Sequence, residues 1–285
     1  TALYAKLGAN AGCASVLSIT GVLAKNLSEP LGYSGFGLHL FLSTLLSGFL
    51  FTLVVYILYK GYKVKADNPL KFSEIPKFNR DQWLTIIAII IMVICCIGFK
   101  LDTGLFAFAA AAVLILLGAV DEKKAIKGIP WGTLVFICGV GVLINVIDTL
   151  GGITMISDFL TKFMNEHTAT PILAATSGIL SWVSSTTGVV MPTLFPIAAD
   201  VCKTFGGANY VEIISAITAT SFAAAISPLS TGGAIIMSSY SAARETTNEE
   251  LNKMFKTLFL LSVANVLLNV LLSALGVFKL GGLFY

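Results

Sequence analysis

SWVSSTTGVVMPTLFP, Ser181 to Pro196, is the stretch on which the reading of this chain turns. Four hydroxyl residues in a row, Ser184, Ser185, Thr186 and Thr187, are followed by Gly188, and Pro192 and Pro196 come behind them. All of this sits inside an apolar run. Of 285 residues, 56% are hydrophobic and only 12% charged, and the mean hydropathy is +0.89. Soluble domains carry about 25% charged residues. The composition is that of an integral membrane protein, so a polar knot here lies where backbone groups find no water. A net charge of +3 is too small to point to nucleic acid.

A membrane-spanning helix needs about 20 apolar residues. Full-length candidates are Phe36–Tyr59, Trp83–Phe99, Thr103–Val120, Trp131–Thr149 and Thr257–Phe278. Three other apolar stretches are interrupted. Leu3–Leu27 is broken at Ser15–Gly21, Pro171–Cys202 at the opening stretch, and Tyr210–Ala242 at Ser227–Gly233. Thirteen of the eighteen Lys and Arg residues fall in Lys60–Gln82, Asp121–Pro130, Ala243–Lys256 and at Lys6. By the positive-inside rule these segments are cytoplasmic. Lys25, Lys100, Lys162, Lys203 and Lys279 fall on the other side.

That assignment bears on the opening stretch. Trp131–Thr149 then runs outward and Tyr210–Ala242 inward, so Pro171–Cys202 begins and ends outside. It is expected to be a re-entrant hairpin. From Pro171 to Val183 a helix extends about 20 Å at 1.5 Å per residue, past the middle of a core about 30 Å thick. Ser184–Gly188 is then its tip.

The other two breaks resemble each other. AGCASVLSITG (Ala11–Gly21) matches AAAISPLSTGG (Ala223–Gly233), yet the charge argument runs them in opposite directions. Matched segments of opposite orientation suggest an inverted-topology repeat. Residues 1–80 are read as the end of a first repeat: a broken helix, one span and a basic cytoplasmic loop over 60–82. Residues 81–285 are read as a second repeat: three spans, the hairpin 171–202, the broken helix 210–242 and a final span 257–278. Symmetry predicts about 120 further residues upstream, with a second hairpin. The expected fold is an all-α polytopic membrane protein with broken helices.

A broken helix frees carbonyls on one side and N–H groups on the other. Carbonyls with Ser and Thr hydroxyls suit a hard cation such as Na⁺, and helix N-termini suit a carboxylate. The candidate anion site is Ser184, Ser185, Thr186, Thr187 and Gly188, with Ser18 and Thr20 from the first break. The candidate Na⁺ ligands are Ser184, Thr186, Ser227, Ser230, Thr231 and Gly232, with Ser15 for a symmetry-related site. Isolated Ser and Thr usually bond back to their own helix or glue helices together. Three clusters, two of them matched, favour a site. Trp182 near the tip reads as packing rather than a gate, and Asn145 as either a pocket-facing residue or a helix–helix hydrogen bond. Asp148, Asp200 and Glu212 stand near segment ends, so no ionisable group lies deep in a span, which favours Na⁺ over proton coupling. His39 and His167 read as interfacial, and Cys13, Cys95, Cys96, Cys138 and Cys202 as free thiols. No nucleophile motif, phosphate loop or dinucleotide fingerprint is present; the chain does not read as an enzyme.

Several of these stretches resemble a known superfamily. IPWGTLVFICGVGVLINVIDTLGGITMISDFL (Ile129–Leu160) is similar to the Trp-led span of the ion transporter superfamily, and SSTTGVVMPTLFP (Ser184–Pro196) to its hairpin motif, Ser-Asn-Thr followed by small residues and proline. Hairpin followed by broken helix resembles the divalent-anion:Na⁺ symporters, and Ser-Pro-Leu-Ser-Thr-Gly-Gly the MatC-like malonate/dicarboxylate carriers. The resemblance implies a homodimer in the inner membrane, with a scaffold and a mobile transport domain, importing a small dicarboxylate with Na⁺ by an elevator motion. No other cofactor is implied. The Asn position of the motif falls on Ser185, a shorter group lacking the amide's donors. A proton-coupled carrier or antiporter for citrate, sulfate or arsenite, and a non-transporting scaffold subunit, are the alternatives.

Overall fold

A computed structural model of the chain describes residues 7–10, 12–63, 77–99, 101–129, 131, 135, 138–139, 142–143, 146–147, 149–230, 232–233, 236–237, 240–241 and 246–279. All regular structure among the described residues is helical. The expected span Trp131–Thr149, with Asn145, lies largely outside them. By packing the chain divides into two compact units, Lys60–Val135 and the remainder.

The smaller unit holds α3 (Arg80–Gly98), α4 (Thr103–Leu116) and α5 (Glu122–Gly128). Each begins on a polar cap. Asn79 and Gln82 form a reciprocal capping box, and Asp102 and Asp121 each accept the N–H three residues on at 2.8 Å. These caps satisfy donors that the first helical turn leaves open. Helix α4 ends four residues before the expected Val120, because Gly118 turns the chain at φ +71°. The outer faces are hydrocarbon, with Phe108 78% and Leu116 85% exposed. Apolar exposure of that extent is a surface for lipid rather than water.

The larger unit is built around α9 (Tyr210–Ala224), buried on nearly every side. Such a helix must be wrapped by others. Its neighbours are α2 (Gly37–Leu58), α7 (Ala169–Val183), α8 (Met191–Thr204) and α10 (Asn248–Ala274). Helices α7 and α9 run parallel: Ser177 Oγ donates to the Ile217 carbonyl (3.1 Å), and Ser181 Oγ, one turn on, to that of Ser221 (2.8 Å). Gly178 permits this approach, since a Cβ there would stand 3.1 Å from Thr220 Cγ2 of α9 and 2.7 Å from a Val266 methyl of α10. Parallel α7 and α9 require α8 between them to carry the chain back. The stretch α7–tip–α8 is therefore a helical hairpin. Leu173, Val190, Met191, Leu194, Phe195 and Ile197 of the hairpin pack with Ile213, Ile214 and Ile217 of α9. The element α1 (Ile19–Ser28) lies along α8, and its end meets the start of α9, where Ser28 Oγ bonds the Tyr210 hydroxyl at 2.9 Å. Helix α6 (Gly152–Thr161) packs on α8.

Two described helices are long and apolar enough to cross a bilayer, Gly37–Leu58 and Asn248–Ala274. The second begins nine residues before the expected Thr257. Thr247 and Glu250 cap each other's backbone there, which starts the helix in polar sequence that a hydropathy window passes over.

Candidate functional site

All three breaks lie in the larger unit, and each restarts its helix in the same way. After the first, Ser18 Oγ accepts the Gly21 N–H at 3.0 Å. After the hairpin tip, Ser185 Oγ accepts the Gly188 N–H at 3.1 Å. After the second break, Ser230 Oγ accepts the Gly233 N–H at 3.3 Å. Each is a Ser-x-x-Gly N-cap, in which a hydroxyl takes one of the open donors of the new helix. The remaining first-turn N–H groups keep the partial positive charge of a helix start.

The first and second breaks agree bond for bond. Leu17 N–H reaches Ser15 Oγ at 3.4 Å, and Leu229 N–H reaches Ser227 Oγ at 3.3 Å. Ser18 Oγ and Ser230 Oγ each donate back to the carbonyl three residues earlier at 2.7 Å. A side chain on Gly21 would collide with the Ser15 carbonyl, and one on Gly233 with that of Ser227. Only glycine admits that approach. The two segments cross in opposite directions: Asn10 meets Phe222 and Ser28 meets Tyr210, so the partner position falls as the chain advances.

The carbonyl end of α9 is where the breaks meet. Five consecutive carbonyls there each accept a side-chain donor. Ser181 of the hairpin serves Ser221 (2.8 Å), and Asn10, ahead of the first break, serves Phe222 (2.8 Å). Asn265 and Ser262 of α10 serve Ala223 (3.4 Å) and Ala224 (2.9 Å), and Ser230 of the second break shares its one proton between Ala225 and Ser227, both at 2.7 Å. Phe222 and Ala224 also accept the backbone N–H groups of Ala225 (3.2 Å) and Ser227 (2.9 Å); a buried carbonyl with no donor at all costs about 1–3 kcal/mol. Trp182 Nε1 donates to Ser262 Oγ at 2.9 Å, tying the hairpin into the same group.

The expected site residues fall as follows. Ser184 Oγ bonds back to the Leu180 carbonyl at 2.6 Å. Ser185 is exposed and is the cap; Thr186 is buried, its hydroxyl 3.1 Å from Ser181 Oγ; Thr187 is half-buried and Gly188 buried. Ser15 and Ser18 are half-buried, Thr20, Ser227 and Ser230 buried, and Gly232 half-buried. Thr231 lies outside the described residues. The tip is joined to α9 through Thr186–Ser181–Ser221. The breaks are shorter than expected. Helix resumes at Ile19, so Thr20 and Gly21 belong to α1. Thr186–Val190 winds as one π turn, leaving Ser184 and Ser185 as the non-helical tip. Gly232 and Gly233 belong to the restarted helix. In each case the serine cap restarts the helix ahead of the glycine.

The sequence reading passed over Asn10, Ser181, Ser262 and Asn265. The spacing of Asn265 and Asn269, four apart on one helix face, was the available signal. It also read Glu212 and His39 as end residues of little consequence. Both are buried, at 4% and 5% exposure. They line a cavity of about 530 Å³ with Ser34, Asn209 and Lys279. Thr170 bonds the Glu212 carboxylate, and His39 Nε2 lies 2.8 Å from the Phe278 carbonyl.

No curated protein matches the chain. A family model described as CitMHS, citrate transporter, matches residues 6–225. The matched span runs from the first break through the hairpin to the end of α9. Broken helices gathered around one helix end, lipid-suited outer faces and a family match over most of the sequence agree: the chain belongs to the CitMHS citrate transporter family, and is a membrane transport protein.

Proposed function

We propose that the chain is the substrate-handling part of a secondary carrier that moves a small polycarboxylate together with a cation. The observation that carries this reading is the convergence of three Ser-x-x-Gly helix restarts around the end of α9. Helix N-termini attract carboxylates through open N–H groups and the helix dipole. Ser184–Gly188, with Ser18 and Thr20, would hold the anion's carboxylates. One Na⁺ would bind between Ser184 and Thr186 of the tip and Ser227, Ser230, Thr231 and Gly232, and Ser15 would serve a symmetry-related ion. The family description adds citrate to the dicarboxylates, malonate among them, that the sequence resemblance implies.

The bond-for-bond agreement of the first and second breaks, with their opposite directions, supports an inverted repeat and a re-entrant hairpin. That all three breaks fall in one compact unit supports a transport domain that moves against a scaffold in a dimer, in the manner of an elevator. The test is uptake into proteoliposomes by the full-length protein. Radiolabelled citrate, malonate and C4-dicarboxylates are supplied under a Na⁺ gradient, a pH gradient or neither. Uptake of at least one anion that follows the Na⁺ gradient supports the reading. No uptake under any gradient overturns it in favour of a non-transporting subunit.

Buried Glu212 favours a second reading, coupling to protons. Buried ionisable groups in such proteins commonly carry protons. Uptake that follows the pH gradient, and loses that dependence in Glu212→Gln, would select it.

A further inference from the structure

A stripe of buried polar residues runs between α2, α9 and α10. On α2 it is His39, Ser43 and Ser47, four apart and so on one face. On α9 it is Glu212 and Ser215, with Ala219 and Phe222 further along the same face. The two helices pack on each other, and their ends fix the register. His39 and Glu212 share the cavity of about 530 Å³ at the start of α9. Ser47, Ala219 and Phe222 share a pocket of about 10 Å³ toward its carbonyl end, room for one water molecule. Ser43 and Ser215 therefore lie between the two, in the interface of α2 and α9. Asn269 and Asn265 continue the stripe on α10. Ser47 Oγ bonds Asn269 Oδ1 at 2.5 Å, and Asn269 Nδ2 donates to the Asn265 carbonyl at 2.9 Å. We propose that a file of water molecules runs along this seam from the cavity to the helix restarts, and that it carries protons between Glu212 and the bound anion.

Ser215 carries the proposal. Its Oγ, with Thr220 Oγ1, is one of two side-chain polar atoms that are buried without a hydrogen-bond partner among the described residues. Buried polar groups are nearly always bonded, to protein or to ordered water. Hydroxyls inside membrane helices usually bond back to their own helix or tie two helices together. Thr44 and Ser273 do the first, and Ser47 does the second. Ser215 does neither. It stands one turn from Glu212 in one direction and one turn from Ala219, at the pocket, in the other. Water in the seam gives its hydroxyl the partner that no side chain or carbonyl supplies.

From Glu212 to Phe222 the helix rises about 15 Å, which about five hydrogen bonds between oxygens span. Each water and each hydroxyl both accepts and donates, so a proton can pass along the file. The Glu212 carboxyl O–H breaks as its proton joins the first water. Each water hands on one of its own protons, and the last forms an O–H bond on a carboxylate of the anion. The Glu212 carboxylate left behind takes a proton from a hydronium ion in the cavity, whose rim residues Ser34, Asn209 and Lys279 are exposed. Glu212 is faced by His39 of α2, Thr170 of α7, Cys202 of α8 and Lys279 beyond α10. The proton path deepens the proton-coupled reading and rests on it; the hydration of the seam does not.

Two measurements on the full-length protein test it. Ser215→Cys, in an otherwise cysteine-free chain in detergent, is transferred to D₂O while its infrared S–H band is followed. A thiol that touches water is expected to lose the band within minutes; a band that persists for hours overturns the file of water. In proteoliposomes, uptake of radiolabelled citrate is driven by a pH gradient. The double variant Ser43→Ala, Ser215→Ala is expected to slow it at least tenfold with the half-saturating citrate unchanged. Ser215→Thr, which keeps the hydroxyl, should run at the wild-type rate. A double variant as fast as wild type overturns the path and leaves the proton-coupled reading standing. Wild-type uptake that ignores the pH gradient overturns both and leaves a Na⁺-coupled carrier. No wild-type uptake under any gradient sinks the carrier reading and the path with it.

Discussion

Asn10 and Phe222 stand 212 positions apart, and Asn10 donates its side-chain amide to the Phe222 carbonyl at 2.8 Å. The same spacing separates Ser15 from Ser227 and Ser18 from Ser230, the residues that build the two matching breaks. Equivalent positions of the two segments therefore touch. Two stretches of chain that run in opposite directions meet at equivalent points where they cross. The bond gives the Phe222 carbonyl a second donor beside the Ala225 N–H, which it accepts at 3.2 Å at the end of α9.

Removing that donor tests the crossing. In Asn10→Ala the Phe222 carbonyl keeps the Ala225 N–H and loses one hydrogen bond, at a cost of about 0.5–1.5 kcal/mol. The thermal unfolding midpoint of the full-length protein in detergent is expected to fall. An unchanged midpoint would mean that the crossing is held by packing alone.

The serine caps should differ in what they control. Ser230 is buried, so Ser230→Ala leaves a buried Gly233 N–H open and should destabilise by about 1–2 kcal/mol. Ser185 is exposed at the tip. Water can replace its oxygen in Ser185→Ala, and the loss should be nearer about 0.5 kcal/mol. Ser185→Asn keeps a good capping group and should restore stability. Chemical denaturation of the three variants against wild type checks the order. Equal losses for Ser185→Ala and Ser230→Ala would contradict the burial assigned to them.

The break at Ser184–Ser185 and both matched breaks were legible because their signals are local. A run of Ser, Thr and Gly inside hydrocarbon has few structural uses, and its chemistry can be read a few residues at a time. The boundaries were less legible, since glycine marks a break by eye while the serine three residues earlier ends it. The bonds that hold the breaks together were not legible. Ser181 and Ser221 are 40 positions apart and Asn10 and Phe222 are 212, and nothing in either neighbourhood announces its partner. The burial of Glu212 was hidden for a similar reason. Its place in the first turn of α9 reads as an end, but the residues that cover it come from Thr170, Ser34, His39 and the turn at Lys279.

Gly178 sets how closely α7 lies on α9 and α10. A Cβ there would meet Val266 Cγ1 at 2.7 Å and Thr220 Cγ2 at 3.1 Å. Gly178→Ala should therefore force the helices apart, costing about 1–3 kcal/mol. The separation should also lengthen the bonds from Ser177 and Ser181 to α9, one residue before and three after. A cysteine introduced at Thr187, at the tip, should then react faster with an aqueous thiol reagent in the Gly178→Ala background. Gly178→Ala with wild-type stability and tip reactivity would show that α10 yields instead.

Helix α10 gives the sharpest test of orientation. It has 27 residues, about 40 Å at 1.5 Å per residue, against a hydrocarbon core about 30 Å thick. The excess is at its start, where Glu249, Glu250, Lys253 and Lys256 occur within nine residues. That end should stand in water on the cytoplasmic side, where the basic residues gather. Its other end leads to Lys279, which lines the same cavity as Asn209 and Glu212 at the start of α9. Lys203, at the end of α8, leads into that same start and should face the opposite side. A single cysteine from Glu249→Cys, in an otherwise cysteine-free full-length protein, should react with a membrane-impermeant reagent only from the cytoplasm. One from Lys203→Cys should react only from outside. Labelling of both from the same face would break the orientation of α8, α9 and α10 together, and with it the case for a hairpin that enters and leaves by one surface.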